Sequence, residues 1–174
     1  TFGNVLLYGE VVTSTNTLLE KNPKLLEKLP VGTTATATTQ VAGRGRGNNV
    51  WVSPPGSLMF STMLRHPISL STTAPVVFIQ YLAALAIVNG IHTYDRNYTL
   101  LPIKLKWPND IYALDPSKGK NANPNDPKSY VKIGGILVNS SYAGGDYTCI
   151  CGIGINVSNT APTTSLNALC SAAN

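Results

Sequence analysis

QVAGRGRGNNVWVSPPG, residues 40–56, lies between two strand-like runs, Thr33–Thr39 and Ser57–Arg65, and its reading decides the fold class. Glycines at 43, 45 and 47 let backbone amides approach a ligand, while Arg44 and Arg46 present planar donors to anions. As a dinucleotide fingerprint the segment fails. GxGxxG needs glycine at 48, where Asn48 stands, and the loop runs into a strand rather than a helix. The Walker pattern is absent too. What remains is a phosphate or carboxylate cradle, an RGG-type RNA-binding segment, or a plain solvated turn. RGG segments are repetitive and flanked by disorder, whereas this one is held between strands.

Upstream, Asn4–Val12 reads as a strand. STNTLLEKNPKLLEKL, residues 14–29, reads as a helix capped by Thr13 or Ser14 and restarted at Pro23, with Pro30 and Gly32 turning into the strand Thr33–Thr39. Downstream, SLMFSTMLR is a buried strand, and Pro75–Thr93 has the apolar spacing of a largely buried helix covering one sheet face. Ile103–Lys106, Asp110–Ala113, Tyr130–Asn139 and Tyr147–Val157 are strands close enough in sequence for hairpin pairing. The polar segment 115–129 is expected to be a mobile surface loop. TTSLNALCSAAN begins a capped helix that is expected to leave Leu169 incompletely covered.

With 43% hydrophobic and 12% charged residues over 174 positions, the chain is one globular domain rather than a disordered or long helical segment. The longest apolar stretch, Pro75–Ile91, is broken by Gln80, Asn89 and Gly90, short of a membrane span. The opening TFGNVLLYGEVV has neither the basic region nor the cleavage pattern of a signal peptide, which points to an intracellular, cytoplasmic protein. Its first residue, Thr1 rather than Met, points to a longer parent chain. Cys149, Cys151 and Cys170 cannot all pair with one another, and the first two, two apart on a strand, read as reduced core cysteines. A net charge of +5 suits anionic ligands without selecting one.

Three further motifs carry chemistry. KWPND, residues 106–110, sets a cation, an aromatic ring and a carboxylate around a Pro-fixed turn. Asp110 either holds Mg²⁺ near nucleotide phosphates or caps the turn while Trp107 packs in the core. KIGGILV, residues 132–138, places Lys132 beside Gly134 and Gly135 in an apolar strand; the glycines mark a close approach of backbone or ligand, and the lysine is either a site cation or an edge-strand charge. GIGIN, residues 152–156, repeats the pattern with Gly152, Gly154 and Asn156, whose amide offers the two-sided hydrogen bonding that adenine requires. His66 and His92 have no acidic or cysteine partner at metal spacing and read as structural or exposed.

TSTN at 13–16, TTQ at 38–40, GRGRGNNVW at 43–51, KWPND, KIGGILV and GIGIN occur in the order and approximate spacing of the biotin protein ligase family, and the chain resembles that family over nearly its whole length. YGEVVTSTNTLLE and NVSNTAPTTSLN are most similar to fungal or other eukaryotic members, also called holocarboxylase synthetases. The resemblance implies an α+β fold: a mixed, largely antiparallel sheet flanked by helices, similar to class II aminoacyl-tRNA synthetases. It implies an ATP-dependent ligase that forms biotinyl-5′-AMP and passes biotin to a lysine of a carboxylase carrier domain, with ATP and Mg²⁺ required and no nucleic-acid or membrane partner. It also implies residue roles. Ser14, Thr15 and Gln40 match positions that hold the ureido ring, with Asn16 beside them, and Gly43, Arg44, Gly45 and Arg46 match the loop that closes over biotin and its adenylate. Trp51 matches an aromatic near the ligand, and Asp110 a metal- or phosphate-side carboxylate. Lys132 matches the lysine on the reacting carboxylate and α-phosphate, making Lys132, Arg44 and Arg46 the catalytic cations. Gly134, Gly135, Gly152 and Gly154 join the binding surface, and Asn156 the adenine contact.

Two departures limit the transfer. Many bacterial relatives continue after GRGR with further arginines and a glycine, where this chain has Gly47, Asn48 and Asn49. The family's catalytic domain also continues into more helix and a small β-barrel, so residues 1–174 are expected to be a catalytic domain truncated at its C-terminus. The rival readings are a lipoate or octanoate ligase or transferase of the same fold, whose glycine-rich motif differs and whose substrate lacks the ureido partner for Gln40, and a non-enzymatic nucleic-acid-binding module built on the basic loop.

Overall fold

Ser14 caps the first helix, its hydroxyl accepting from the Thr17 N–H at 3.4 Å, and Pro23 opens the next, where its fixed φ suits the first helical position. In the computed structural model, which describes residues 2–173, the chain runs β1 (Leu6–Val12), α1 (Thr15–Glu20), α2 (Pro23–Leu26), β2 (Thr34–Gln40), β3 (Gly43–Arg44), β4 (Val50–Trp51), β5 (Ser57–Pro67), α3 (Phe78–Tyr94), β6 (Ile103–Lys106), β7 (Asp110–Leu114), β8 (Tyr130–Ala143), β9 (Asp146–Asn156) and α4 (Leu166–Ala173). Seven strands form one sheet in the order β1-β2-β5-β9-β8-β7-β6. β1 and β2 pair in parallel across the α1–α2 crossover, and every other pair in that sheet is antiparallel. The mixed, largely antiparallel α+β architecture is as expected.

Strand alternation sends side chains to two cores. One face carries Ile103, Ile111, Ala113, Ile133, Cys151, Ile153 and Ile155 under α3 and α4. The other carries Ala35, Met63 and Ile150 under Leu19 of α1 and Leu26 of α2. Cys149 and Cys151 are buried and free; burial pushes the Cys149 thiol up, and that of Cys151 up to about 12, so neither supplies a thiolate.

One irregularity shapes the functional face. Between β7 and β8, Tyr112 pairs with Lys132 but Ile111 pairs with Gly134, which leaves Ile133 as an extra residue on β8. Such a bulge re-aims the side chains around it. Strict alternation would put Lys132 and Gly135 on opposite faces; the bulge brings Lys132 to the face that Gly135 shares, while Ile133 and Gly134 turn to the core.

Four expectations change. The loop at 40–56 is not wholly irregular, because Gly43–Arg44 pairs with Val50–Trp51 as a short ribbon. α3 is less buried than its composition suggests. Ala84 and Ile91 are buried, but Phe78, Leu82 and Leu85 are exposed, because a helix apolar all round can turn only one side to the sheet. The 115–129 segment lies at the surface but is braced, its Pro124 carbonyl accepting from Lys104 Nζ at 2.6 Å and Tyr130 Oη at 3.1 Å. Leu169 is buried rather than left open, because α4 lays it with Leu166 against the sheet.

Ile133 is fully buried on the face opposite Lys132. Ile133→Ala is therefore expected to destabilise the domain by about 3 kcal/mol through lost burial and a residual cavity. A urea midpoint shifted by less than a third of that amount would mean that the bulge is not packed as described.

Candidate functional site

Three glycines leave the centre of the sheet bare on its α1 face. A Cβ on Gly152 would lie 3.0 Å from Asn16 Nδ2 and 3.2 Å from Ser61 Oγ. On Gly154 it would lie 2.5 Å from Trp51 Nε1, and on Gly135 it would touch Lys132 and Asp110 at 3.5–3.7 Å. Gly154 pairs with Gly135 across β8 and β9, and Gly152 precedes Gly154 by two residues on β9. The floor therefore passes from Asn16, past Trp51, to the Lys132–Asp110 pair, over roughly 8 Å given ordinary strand rise and spacing. Above it lies a cleft of about 300 Å³, walled by α1, the 44–51 loop and the 108–110 turn.

One end is neutral and polar. The Thr15 N–H donates to Gln40 Oε1 at 2.9 Å, Gln40 Nε2 donates to Ser53 Oγ at 3.0 Å, and the Thr15 and Ser61 hydroxyls bond at 2.9 Å. Gln40 is thus engaged at both ends of its amide and serves to set Thr15. Asn16 is different. It is 4% exposed, lines the cleft, and neither Oδ1 nor Nδ2 has a partner. A buried carboxamide without hydrogen bonds costs free energy that a ligand of matched donors and acceptors recovers.

The other end is charged. Lys132 Nζ lies 2.6 Å from Asp110 Oδ1 and 5.7 Å from the centre of the Trp51 ring. Arg46 reaches Asn109 Oδ1 only at 3.4 Å, so its guanidinium has little to hold it. Arg44 pairs with Glu20 and touches Thr17 Oγ1 at 3.5 Å. Trp51 Nε1 is buried without a partner above Gly154.

The structure brings together Ser14, Thr15, Asn16, Gln40, Arg44, Gly45, Arg46, Trp51, Asp110, Lys132, Gly135, Gly152 and Gly154. Gly43 stands just behind, where a side chain would strike the Trp51 carbonyl and Gln40. Two expected residues do not join. Gly134 faces the core, where a Cβ would meet Ile111 at 3.3 Å, because the bulge turns it away. Asn156 is buried outside the cleft, its Nδ2 donating to Thr163 Oγ1 at 3.1 Å and Thr164 O at 3.2 Å, so the paired donor and acceptor expected for adenine are not both free. Trp107 is not the core residue of the plainer reading; it is 78% exposed, its indole donating to Tyr81 Oη at 3.0 Å.

Ser61 and Asn109 line the cleft and are the residues that sequence reasoning missed, and Glu20, outside the cleft, is the unforeseen partner of Arg44. Ser61 had a signal, a hydroxyl between Met59 and Met63 on the inward face of an apolar strand. Asn109 was visible inside KWPND, but its bond to the Ile136 carbonyl at 2.8 Å is tertiary.

The sequence profile of the Biotin/lipoate A/B protein ligase family matches residues 8–156, which include every wall of this cleft. The chain belongs to that family. Among its relatives, a biotin–protein ligase of Schizosaccharomyces pombe is 43% identical over 168 residues, covering 97% of this chain and 26% of that protein. A human biotin–protein ligase is 33% identical over 169 residues, covering 96% and 21%. The chain therefore spans about a quarter of these relatives' length. A Leishmania major biotin protein ligase, solved with biotinyl-5-AMP, superposes with a TM-score of 0.65 at 24% identity over 97% of this chain and 65% of that one, which supports the family fold. Among the described residues no helix is long and apolar enough to cross a membrane.

In this member of the family, Gly154→Ala is expected to displace the Trp51 indole, since the new methyl cannot share its space. Tryptophan emission should shift towards that of exposed indole, while the urea midpoint moves by no more than about 1 kcal/mol equivalent. An unchanged emission maximum would mean that the ring is not seated on Gly154.

Proposed function

We propose that residues 1–174 belong to the catalytic domain of a cytoplasmic biotin–protein ligase. The reaction is ATP-dependent formation of biotinyl-5′-AMP, followed by transfer of biotin to a lysine of a carboxylase carrier domain. The observation that carries this reading is the buried, unpartnered amide of Asn16, set at the neutral end of a cleft whose other end holds Lys132. A ureido ring offers one carbonyl acceptor and two N–H donors, which match Asn16 Nδ2 and Oδ1 with the Ser14 and Thr15 hydroxyls nearby. Its acid side chain then runs over the glycine floor towards Lys132. A lipoyl or octanoyl group has no donor or acceptor at that end and would leave Asn16 buried and unpaired.

The first step joins two anions, so charge must be neutralised before bonds change. Lys132, released from part of its contact with Asp110, meets the carboxylate and the α-phosphate. Arg46, weakly held, folds over them. The carboxylate oxygen attacks the α-phosphorus in line and pyrophosphate leaves. Among the described residues lining the charged end Asp110 is the single carboxylate, and it would hold a Mg²⁺, which would supply neutralisation of the phosphates' charge. The mixed anhydride is protected from water by the 44–51 loop until the carrier's lysine amine attacks its carbonyl and AMP leaves. No enzyme nucleophile is required.

Pyrophosphate release from ATP, with and without biotin, tests the reading; release that biotin does not raise, or that octanoate or lipoate raises more, overturns it. Lys132→Ala should lower biotin-dependent ATP–pyrophosphate exchange by roughly a hundredfold or more, as expected for a charge worth about 3 kcal/mol in the transition state. Circular dichroism should be unchanged, because both Lys132 and Asp110 are partly exposed. Near-normal exchange would remove Lys132 from the chemistry.

A further inference from the structure

Glu20 closes α1, four residues and about one turn after Asn16, so both project from the same side of the helix. Its carboxylate is divided between two elements. Oε1 accepts from Asn139 Nδ2 of β8 at 2.8 Å, and Oε2 pairs with Arg44 Nη1 of the glycine-arginine loop. Burial opposes its ionisation, but the hydrogen bonds from Asn139 and Arg44 and the nearby positive charge outweigh burial and hold the carboxyl below the usual range.

The consequence is a loop with two unlike halves. At its root, Gly43–Arg44 is paired with Val50–Trp51, and Arg44 is tied to α1. At its tip, Gly45–Asn49 is closed by the Gly45 N–H to Asn49 carbonyl bond at 2.8 Å, Gly47 takes φ +61°, and Arg46 is barely held. The two arginines, alike in sequence, have different partners. Arg44 spends its charge on Glu20, leaving Arg46 for an anionic ligand.

We infer that Glu20 is a positioning residue: through Arg44 it anchors the root of the 43–51 loop to α1 and β8, so that Trp51 stays on the glycine floor and only the tip moves when ligand enters. The inference rests on the proposed biotin reading for its ligand, but not for the anchor itself. Glu20 touches no reacting atom; loosening it should let ligand escape faster while leaving the chemical step of bound substrates nearly unchanged.

Glu20→Gln keeps size and an acceptor for Asn139 but loses the charge that binds Arg44. Two measurements on this chain decide the matter. Without ligand, amide hydrogen exchange over residues 43–51 should quicken about tenfold, the loss expected for a charge-assisted hydrogen bond, while α1 and β2 exchange as before. With biotin and ATP, dissociation of biotin and escape of the adenylate should rise by a similar factor, with single-turnover adenylate formation within about threefold of the parent. Glu20→Asp should recover part of the loss. In a double-mutant cycle, Glu20→Gln added to Arg44→Gln should have little further effect on loop exchange. Unchanged exchange at 43–51, quickening spread equally through α1 and β2, or additive effects in the cycle would each overturn the anchor. If the unmodified chain binds no biotin, the ligand reading fails, and the exchange measurements still decide for or against Glu20.

Discussion

The site depends on a steric constraint: three positions at the centre of the sheet carry no side chain. Because Gly152, Gly154 and Gly135 lie on adjoining places of β8 and β9, Asn16 and Trp51 can descend onto the backbone itself. Glycine in a strand weakens it, since it adds no packing and loses more entropy on folding. Here the loss is offset by long antiparallel pairing, β9 being flanked along its full length by β5 and β8. The most regular part of the fold therefore supports the floor of the cleft.

Electrostatics divide the cleft into a neutral end and a charged end. Thr15, Gln40, Ser53 and Ser61 satisfy one another in a chain of hydrogen bonds, which fixes the backbone around Asn16 while both ends of its own amide stay unpartnered. Such a closed network around one open donor and acceptor reads shape and hydrogen-bond pattern rather than charge. At the far end Lys132 and Asp110 compensate each other until an anion arrives. A partly exposed pair of this kind is worth little to stability, so separating it costs the fold little. Arg44 is paired with Glu20, whereas Arg46 has only a 3.4 Å contact with Asn109 Oδ1.

Much of the architecture was legible in the sequence. The strands around the loop, the Ser14 cap, the restart at Pro23 and the strand pairs after Ile103 follow from local propensity and short connections, which act over a few residues. Less legible were the exposed face of α3, whose composition is apolar on all sides, and the ribbon inside the glycine-rich loop, which exists because Gly43 lets two backbones meet. Most site residues were visible as motifs because glycine, charge and amide stand out in apolar strands. Ser61 had only a weak signal, one hydroxyl on the inward face of an apolar strand, and Glu20 had none because its partners lie 24 and 119 residues away.

What the sequence by itself determined is the alternation of apolar and small residues, the helix caps and the family of motifs, all encoded within short windows. What only the tertiary structure decided is which way those residues face. A single extra residue, Ile133, turns Lys132 into the cleft and Gly134 out of it. The pairing of Asn156 Nδ2 with Thr163 and Thr164 withdraws the donor of an amide that its motif offers, and Glu20 claims one of two identical-looking arginines. The physical reason is common to all three: a side chain's direction is set by strand register and by the partners that reach it, and both are properties of residues brought together from distant parts of the chain.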